Sequence, residues 1–239
     1  MTSPNASLPA SPGISVILPV LNEQAHLADS IRAILSQNYL GKFEVILALG
    51  PSRDSTNEIA RSLAAEDARV ILVENPTGRT AAGLNIALNA STQDVVVRVD
   101  AHAEIPNDYL QLVVEILRES GAVNVGGVMG AEGITFFESA VAAAMCSPFG
   151  VGGSRFHTGG KAGFVDTVYL GAFIRQAVVD AGGFDERFIR AQDWELNYRL
   201  RQHGGEIYFD PRLHVTYRPR PNFRKLAKQY FEYGRWRRV

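Results

Sequence analysis

The chain has 239 residues, of which 46% are hydrophobic and 21% charged, which favours one large globular domain and excludes a disordered or fibrous protein. A single cysteine, Cys146, excludes an internal disulfide and a cysteine-rich zinc site. The formal net charge of −1 hides a basic end, because residues 218–239 carry eight Lys/Arg against one Glu, a net of +7. Such an end needs an anionic partner or a solvent-exposed face.

The first 13 residues are rich in Ser, Pro and Ala and lack the basic start and apolar run of a signal peptide. We therefore expect 1–13 to be a disordered leader. The most apolar later stretch, 136–151, is interrupted by Glu138 and Pro148 and is too short to cross a bilayer of about 30 Å.

From Ile14 onward, short β-branched runs alternate with amphipathic stretches. The pattern predicts strands over 14–18, 43–47, 70–73 and 95–99, and helices over 24–36, 55–65, 80–89 and 107–119. Strands that are apolar on both faces belong to a parallel sheet that helices cover on both sides, so the predicted class is α/β. Ligands of such sheets bind beyond the carboxyl ends of the strands.

Beyond residue 120 the alternation is lost. We predict a Gly-rich hairpin over 126–133, an Ala-rich helix over 137–145, a Gly-rich loop over 150–163, further elements at 169–181 and 194–202, and an extended segment at 208–215. These elements are interpreted as a second half built onto the same sheet, with long loops of the kind that carry function.

Two common nucleotide-binding patterns are missing. No glycine follows the first strand, which excludes the turn that holds a dinucleotide pyrophosphate. The glycines at 126–130 open no long helix, and no Gly-Lys-Ser/Thr follows them, so they are not a phosphate-binding loop.

A candidate anion site follows the third strand, where Gly78-Arg79 leads into a helix. Free backbone N–H groups and the Arg79 guanidinium could face an anion together. The alternative is an ordinary turn with a surface arginine.

A candidate metal site follows the fourth strand. Asp100 and His102 are two residues apart in extended chain, so both side chains point to the same side and could reach one divalent ion. The alternative, a capping Asp beside a surface His, is weakened because Pro106 and the residues after it supply the helix start signals. His214, in the later extended segment, is a second candidate ligand, although a lone His is more often structural.

Two acids at the start of a later helix, Asp193 and Glu195, are the last candidates. Taken without context, Asp193 serves equally well as a helix cap.

Together these segments resemble the family 2 glycosyltransferases of the GT-A fold, over nearly the whole span from Ile14 to Trp236. Four motifs stand in the family's order: 14–23 resembles its opening strand and nucleotide loop, 78–85 its phosphate-side helix start, 100–102 its Asp-x-Asp metal motif, and 192–196 its Glu-Asp base motif. Any one of these motifs is weak evidence, but the ordered set is strong.

The resemblance implies a GT-A fold with a mostly parallel central sheet and helices on both faces, a single catalytic domain over 14–217 and a basic amphipathic helix over 218–239. It implies Asp193 as the catalytic base and Mn²⁺ or Mg²⁺ held by Asp100, His102 and His214. The residues that it implies for the nucleotide are Pro19, Leu21, Asn22, Glu23, Gly50, Arg79, Asp100 and Ala101.

Three departures from the family pattern bear on these roles. His102 replaces the second Asp of the metal motif, an exchange that keeps a manganese ligand. Gln192 replaces the Glu before Asp193, the residue usually assigned as base. Leu49-Gly50 replaces two acids, one of which reads uracil in relatives. A UDP-sugar is therefore favoured only by the family, and a GDP-sugar stays open.

The resemblance also extends to the acceptor side. Trp194 and Glu195 could contact a sugar, or could be packing and solvated charge, while Gly171 and Ala172 resemble the acceptor wall. The loop carrying Arg155, His157 and Lys161 resembles a mobile lid, with a plain surface loop as the alternative.

The implied function is metal-dependent, inverting transfer from a nucleotide-diphospho-sugar to a lipid-linked or polysaccharide acceptor, as in bacterial exopolysaccharide synthesis. The basic end predicts peripheral binding to an anionic membrane at the cytoplasmic face, and no nucleic-acid recognition motif accompanies it. The alternative function is a nucleotide-sugar binding module without turnover.

Overall fold

The molecule is built around a mixed sheet. The computed structural model describes residues 8–147, 155–217, 219 and 222–236. In these residues eight strands lie in the order β3-β2-β1-β4-β7-β5-β8-β6. The strands are β1 Ile14–Val20, β2 Phe43–Leu49, β3 Val70–Glu74, β4 Val95–Arg98, β5 Asn124–Ala131, β6 Gly163–Phe164, β7 Tyr169–Ile174 and β8 Ile207–Tyr217.

Helices connect the strands. They are α1 Leu27–Leu35, α2 Thr56–Glu66, α3 Thr80–Ala90, α4 Tyr109–Ser120, α5 Phe136–Met145, α6 Arg155–Thr158, α7 Arg175–Asp180, α8 Gln192–Gln202 and α9 Phe223–Trp236. One buried cluster joins α1, α2 and α4 to one face of the sheet, and a second joins α3, α7 and α8 to the other face. The predicted α/β class, with helices on both faces, is confirmed.

The first half of the sheet is parallel, as the sequence predicts. β1 pairs with β2 on one side and β4 on the other, and β3 extends the row beyond β2. Val16, Ile17 and Leu18 are all fully buried, so successive residues face opposite layers of the core. Because these strands are buried on both faces, their apolar runs were recognisable without any long-range information.

The second half differs from the prediction. Residues 126–133 do not form a hairpin, because most of them belong to the single strand β5, which lies between β7 and β8. The glycines there permit close approach: a Cβ on Gly127 would lie 1.8 Å from the Leu213 carbonyl oxygen, and one on Gly126 would lie 2.7 Å from the Val168 side chain. Both sit where the strand register shifts.

β7, near the centre of the sheet, runs in the direction opposite to its two neighbours. It pairs antiparallel with both β4 and β5, while β5 and β8 run parallel to each other. β6 is antiparallel to β8. Six strands therefore run one way and two the other, and the carboxyl ends of β1, β2, β4 and β5 lie along one edge.

Both ends of the described chain pack on the domain. Residues 1–7 of the expected leader lie outside the described residues, but Leu8 packs against the core and the Pro12 carbonyl accepts a hydrogen bond from the Tyr39 hydroxyl. At the other end, Leu226 of α9 packs beside Tyr217. Among the described residues, none of the helices has the length and apolar character needed to span a bilayer.

Two helical glycines give a test of this packing. Gly83 lies where α3 meets the sheet, and a Cβ there would lie 2.7 Å from Asn75 Nδ2 and 3.2 Å from Pro19 Cβ. We expect Gly83→Ala to destabilise the protein by about 1–3 kcal/mol in urea unfolding, because the buried neighbours must move.

The matched control is Gly234→Ala in α9, where nothing lies within 4 Å of the added Cβ. Helix propensity then predicts no loss, or a gain of up to about 1 kcal/mol. Equal effects of the two substitutions would contradict the packing of α3 described above.

Candidate functional site

The loops that follow β1, β2 and β3 pack against one another at the carboxyl edge of the sheet. Gly50 is buried at their centre, and a Cβ there would lie 2.9 Å from the Leu21 side chain and 3.2 Å from Gly78 Cα. A larger residue at this position would therefore require the Leu21 side chain and the Gly78 backbone to shift. Leu21 itself remains exposed and forms part of the surface.

Hydrogen bonds to the loop after β2 hold Asn22 and Glu23 in place. Asn22 has φ of 56°, and its backbone N–H donates to Ser52 Oγ at 3.0 Å while its side-chain oxygen accepts from the Arg53 N–H at 2.9 Å. The Glu23 N–H donates to Thr56 Oγ1 at 2.8 Å. The two residues predicted to meet a nucleotide thus belong to a fixed turn.

Glu23 contacts the candidate metal motif directly. Its Oε1 lies 3.0 Å from Nδ1 of His102, and both side chains are partly buried. A proton on Nδ1, donated to this carboxylate, leaves the lone pair on Nε2. Histidines that bind metals commonly have such a carboxylate partner, which orients the ring and raises its basicity.

A buried arginine links the two predicted functional acids. Arg98, the last residue of β4, donates through Nη2 to Asp100 Oδ1 at 3.0 Å and through Nη1 to Asp193 Oδ1. Its side chain is only 8% exposed, compared with 22% and 21% for the two acids. Asp100 and Asp193 therefore share one cleft, although 93 positions separate them in the sequence.

The electrostatics of this cluster follow from its burial. Burial raises the pKa of the Asp193 carboxyl, with Arg98 opposing that rise and the charge of Asp100 adding to it. Burial alone would lower the pKa of Arg98, but the two carboxylates together raise it above its ordinary value. The pKa of Tyr169 at the start of β7 is also raised well above 10.0, by burial and by the nearby Asp100.

The helix-capping interpretations of these acids are wrong. The N-cap of α8 is Ala191, which has φ of 63°, and the Asp193 side chain binds Arg98 instead of a helix N–H. A left-handed alanine costs free energy, so the chain keeps a strained turn immediately before Asp193. The N-cap of α4 is Asp108, and Asp100 lies well before it.

His214 does not join Asp100 and His102 in a ready-made metal cage. It lies in β8 with its ring over Gly130, where a Cβ would be 2.2 Å from His214 Nε2. Among residues 8–147, 155–217, 219 and 222–236, no three His, Cys, Asp or Glu side chains are grouped closely enough to hold a metal ion. The chain after β4 is a turn and not the expected extended segment, since the Ala103 N–H donates to the Asp100 carbonyl at 2.8 Å, and Asp100 pairs with Arg98 while His102 contacts Glu23.

Arg79, the residue predicted to face the phosphates, is the N-cap of α3. Arg79 is exposed, and its backbone N–H donates to Thr77 Oγ1 at 3.1 Å. Gly78, with φ of 61°, sits beside Leu21 and so brings this loop next to the nucleotide loop. Ala101, in contrast, is buried in the core and offers only its backbone to a ligand.

The predicted acceptor residues separate into two groups. Trp194 is 43% exposed and stacks on Tyr198, with ring centroids 6.4 Å apart. Glu195 is held by Arg199, whose Nη2 donates to Oε2 at 2.6 Å. Gly171 and Ala172 lie inside the sheet in β7, and both are buried, so neither residue lines an exposed surface.

Of the predicted lid, positions 150–154 lie outside the described residues. The part that follows forms the single turn α6, and Arg155 Nη1 donates to the Lys161 carbonyl at 3.4 Å. Phe156 packs against the core, and its ring centroid lies 4.4 Å from that of His157. Lys161 is exposed.

Sequence reasoning missed Arg98 and Tyr169. The signal for Arg98 was present, since a charged residue inside an apolar strand must find a partner and Asp100 projects to the same side two residues later. Tyr169 had no comparable local signal, because its neighbours in space come from β4, α8 and β8.

The chain matches known proteins over most of its length. The model of the family described as Glycosyl transferase family 2 matches residues 15–178. The chain is 35% identical over 224 residues to the succinoglycan biosynthesis protein ExoA of Rhizobium meliloti. The matched region covers 93% of this chain and 68% of that protein.

Solved structures share the fold. A mannosyltransferase from Pyrobaculum calidifontis, in complex with GDP-Man and Mn²⁺, superposes with a TM-score of 0.72 at 23% identity, covering 95% of this chain and 65% of that one. S. aureus TarS 1-349 in complex with UDP superposes with a TM-score of 0.66 at 16% identity, covering 86% and 60%. The chain thus spans less than two thirds of either structure.

Proposed function

The chain belongs to glycosyl transferase family 2, and from that premise we propose that it moves a sugar from a nucleotide-diphospho-sugar to a lipid-linked or polysaccharide acceptor. It is a glycosyltransferase, and the proposal concerns its donor, acceptor and mechanism. The observation that carries the proposal is that Asp100, from the metal motif, and Asp193, from the base motif, flank one guanidinium in one cleft.

Asp193 is the proposed base. The acceptor hydroxyl gives its proton to the Asp193 carboxylate as its oxygen attacks the anomeric carbon, while the bond from that carbon to the diphosphate oxygen breaks and the nucleoside diphosphate leaves. This single displacement inverts the anomeric configuration. Because burial raises the pKa of Asp193, its ionised form is a stronger base than an exposed aspartate.

The donor would lie on the fixed turn at Asn22 and Glu23 and along the loops that carry Leu21, Gly50 and Arg79. The exposed Arg79 guanidinium and the start of α3 suit a diphosphate. Leu49-Gly50 stands where relatives carry the two acids, and the next carboxylate, Asp54, accepts a hydrogen bond from the Thr56 N–H at 3.1 Å. The TarS structure that binds UDP favours a UDP-sugar, and the structure that binds GDP-Man keeps a GDP-sugar in the set to test. The relative named for succinoglycan favours a role in exopolysaccharide synthesis.

A divalent cation, Mn²⁺ or Mg²⁺, fits the residues after β4. Asp100 supplies a carboxylate and His102 an imidazole whose ring is oriented by Glu23, and both ligand types suit manganese. When bound, the cation would neutralise charge on the departing diphosphate as a Lewis acid. Asp100 and His102 would hold the cation together with oxygens of the donor diphosphate.

The alternative, a nucleotide-sugar binding module, is favoured by two exchanges. Leu49-Gly50 has lost the acids of relatives, and Gln192 replaces the Glu before Asp193. Gln192 is buried, and its side-chain amide donates to the Ile189 carbonyl at 2.8 Å, so it supports the turn before α8. Turnover separates the two functions.

We expect Asp193→Ala to lower sugar transfer or donor hydrolysis by about 10²–10⁴-fold, because the acceptor proton loses its base. Thermal-shift screening of UDP- and GDP-sugars, with and without Mn²⁺, first identifies the donor. Radiolabelled transfer from that donor then measures kcat, and calorimetry measures donor affinity, which should change by less than threefold.

Asp210→Asn is the matched control, because Asp210 is also a buried carboxylate held by an arginine, Arg212, at 2.9 Å. It should keep kcat. Donor binding without turnover in the unsubstituted protein would support the binding module instead, and equal kcat in Asp193→Ala would remove Asp193 from the mechanism.

We expect Glu23→Gln to weaken Mn²⁺ binding by about tenfold, because His102 loses the charged partner that orients its ring and raises its basicity. The measurement is a Mn²⁺ titration followed by calorimetry in the presence of UDP or GDP. Glu58→Gln, at an exposed position on α2, is the control and should leave the affinity unchanged. Unchanged affinity in Glu23→Gln would show that Glu23 does not support the metal site.

We also propose that α9 rests on an anionic membrane surface. Its inner side is fixed, since Gln229 donates to the Tyr217 hydroxyl at 3.2 Å and Glu232 pairs with Arg190 at 3.1 Å. Phe223 and Phe231 are 73% and 74% exposed, and the basic residues Arg224 and Lys228 are exposed as well. Arg218, Arg220, Arg237 and Arg238 of the basic end lie outside the described residues.

Replacing both Phe223 and Phe231 by Ser should lower binding to phosphatidylglycerol vesicles by at least about fivefold in co-sedimentation, because both rings then lose apolar burial in the interface. Leu40→Ser, at a position that is 95% exposed in the loop after α1, is the control and should bind as the unsubstituted chain does. Binding to DNA that exceeds binding to the vesicles would refute the membrane role.

A further inference from the structure

One guanidinium fixes the spacing between the two acids of the site. Arg98 uses separate nitrogens for Asp193 and for Asp100, so the two carboxylates are held by a single rigid, planar group. The arginine is the most buried member of the three. Neither the base motif nor the metal motif includes this residue.

We propose that Arg98 is a positioning residue for sugar transfer, which holds the Asp193 carboxylate in register with Asp100. The inference rests on the proposed function, in which Asp193 receives the acceptor proton. Arg98 itself acts through its two partners and not on the substrate.

The scaffold behind Arg98 is rigid. Arg98 ends β4, where it pairs with Ile17 of β1, and Val97 just before it pairs with Ala172 of β7. The backbone of Arg98 is thus supported by fully buried neighbours on both sides. A side chain that extends from such a strand defines a position more precisely than one from a loop.

Asp193 depends on that scaffold for its orientation. It stands in the first turn of α8, two residues after the strained Ala191, and in the described part of the chain its carboxylate accepts a hydrogen bond from Arg98. Without the guanidinium, two carboxylates would share a largely buried cleft and repel each other. Asp193 would then rotate away from Asp100.

Arginine and lysine differ in this role. A guanidinium presents donors in a fixed fork that can bridge two carboxylates, whereas an ammonium is a compact charge on a flexible stem. Lysine at position 98 keeps the positive charge but does not define the distance between the two acids. The comparison of the two side chains therefore separates positioning from simple charge balance.

The experiment compares Arg98→Lys with a matched arginine elsewhere. Arg212 also bridges two acids, donating to Asp210 at 2.9 Å and to Glu119 at 2.7 Å, but it lies by the C-terminal end of α4, away from the cleft. We expect R98K to lower kcat about 10–100-fold, since a misplacement of about 1 Å can cost that much, with the donor KM within threefold of wild type. R212K should keep kcat.

A double substitution shows whether Arg98 acts through Asp193. In the D193N background R98K should change the residual kcat less than twofold, because the carboxylate that it positions is gone. Thermal midpoints and donor affinity by calorimetry are measured for every variant. R98Q, which keeps one pair of donors, repeats the test where R98K does not fold.

Three outcomes would overturn the proposal: wild-type kcat in R98K, an equal loss of kcat in the wild-type and D193N backgrounds, or failure of both R98K and R98Q to fold, which would make the residue structural. A wild-type chain that transfers no sugar from any donor would remove the proposed function and this role with it. Wild-type transfer with unaffected R98K would remove the role alone.

Discussion

Arg98 is a charged side chain buried at the end of a core strand, and the cleft is organised around the need to neutralise it. Burying an unpaired guanidinium is too costly for a stable fold, so the two carboxylates that contact it are required wherever it is buried. One of them comes from the next turn of the chain and the other from α8, which packs on the sheet through Leu196 and Leu200. Ion pairing and packing therefore place the same two elements together.

The reversed strand makes this meeting possible. Because β7 runs antiparallel between β4 and β5, the chain leaves it at the amino edge of the sheet and then crosses one face to bring the start of α8 beside the end of β4. Had β7 run parallel to β4, α7 would have followed it at the carboxyl edge. The turn at Ala191, with its positive φ, completes the approach.

The first half of the fold could be predicted because its signals are local. The runs at 14–18 and 95–99 are buried on both faces, and the helix pattern between them needs no knowledge of distant contacts. The second half could not be predicted equally well, because a glycine can mark either a turn or a close approach of another segment. Gly126 and Gly127 suggested a turn, but the structure places Val168 and Leu213 so close to them that a larger residue would not fit.

The site shows the same division. Strand alternation predicted Asp100 and His102 on the same side of extended chain, but β4 ends at Arg98 and the chain turns, with the Ala103 N–H donating to the Asp100 carbonyl at 2.8 Å. His214 carried no such constraint, and its ring lies over Gly130. Glu195 was considered for a sugar, but four residues later in the helix Arg199 binds it, a spacing that the sequence already contained. The pairing of Arg98 with Asp193, in contrast, joins distant segments and appears only in the fold.

The long separation between Arg98 and Asp193 affects how the protein is made. Synthesis proceeds at roughly 5–20 residues per second, and β4 is made about a hundred residues before α8. For several seconds Arg98 of the nascent chain therefore has Asp100 but not Asp193 as a partner. The carboxyl edge of the parallel strands must remain partly hydrated during that time. The cleft closes only when the final third of the chain arrives, which makes its assembly a late event of synthesis and keeps an incomplete chain from acquiring the paired acids.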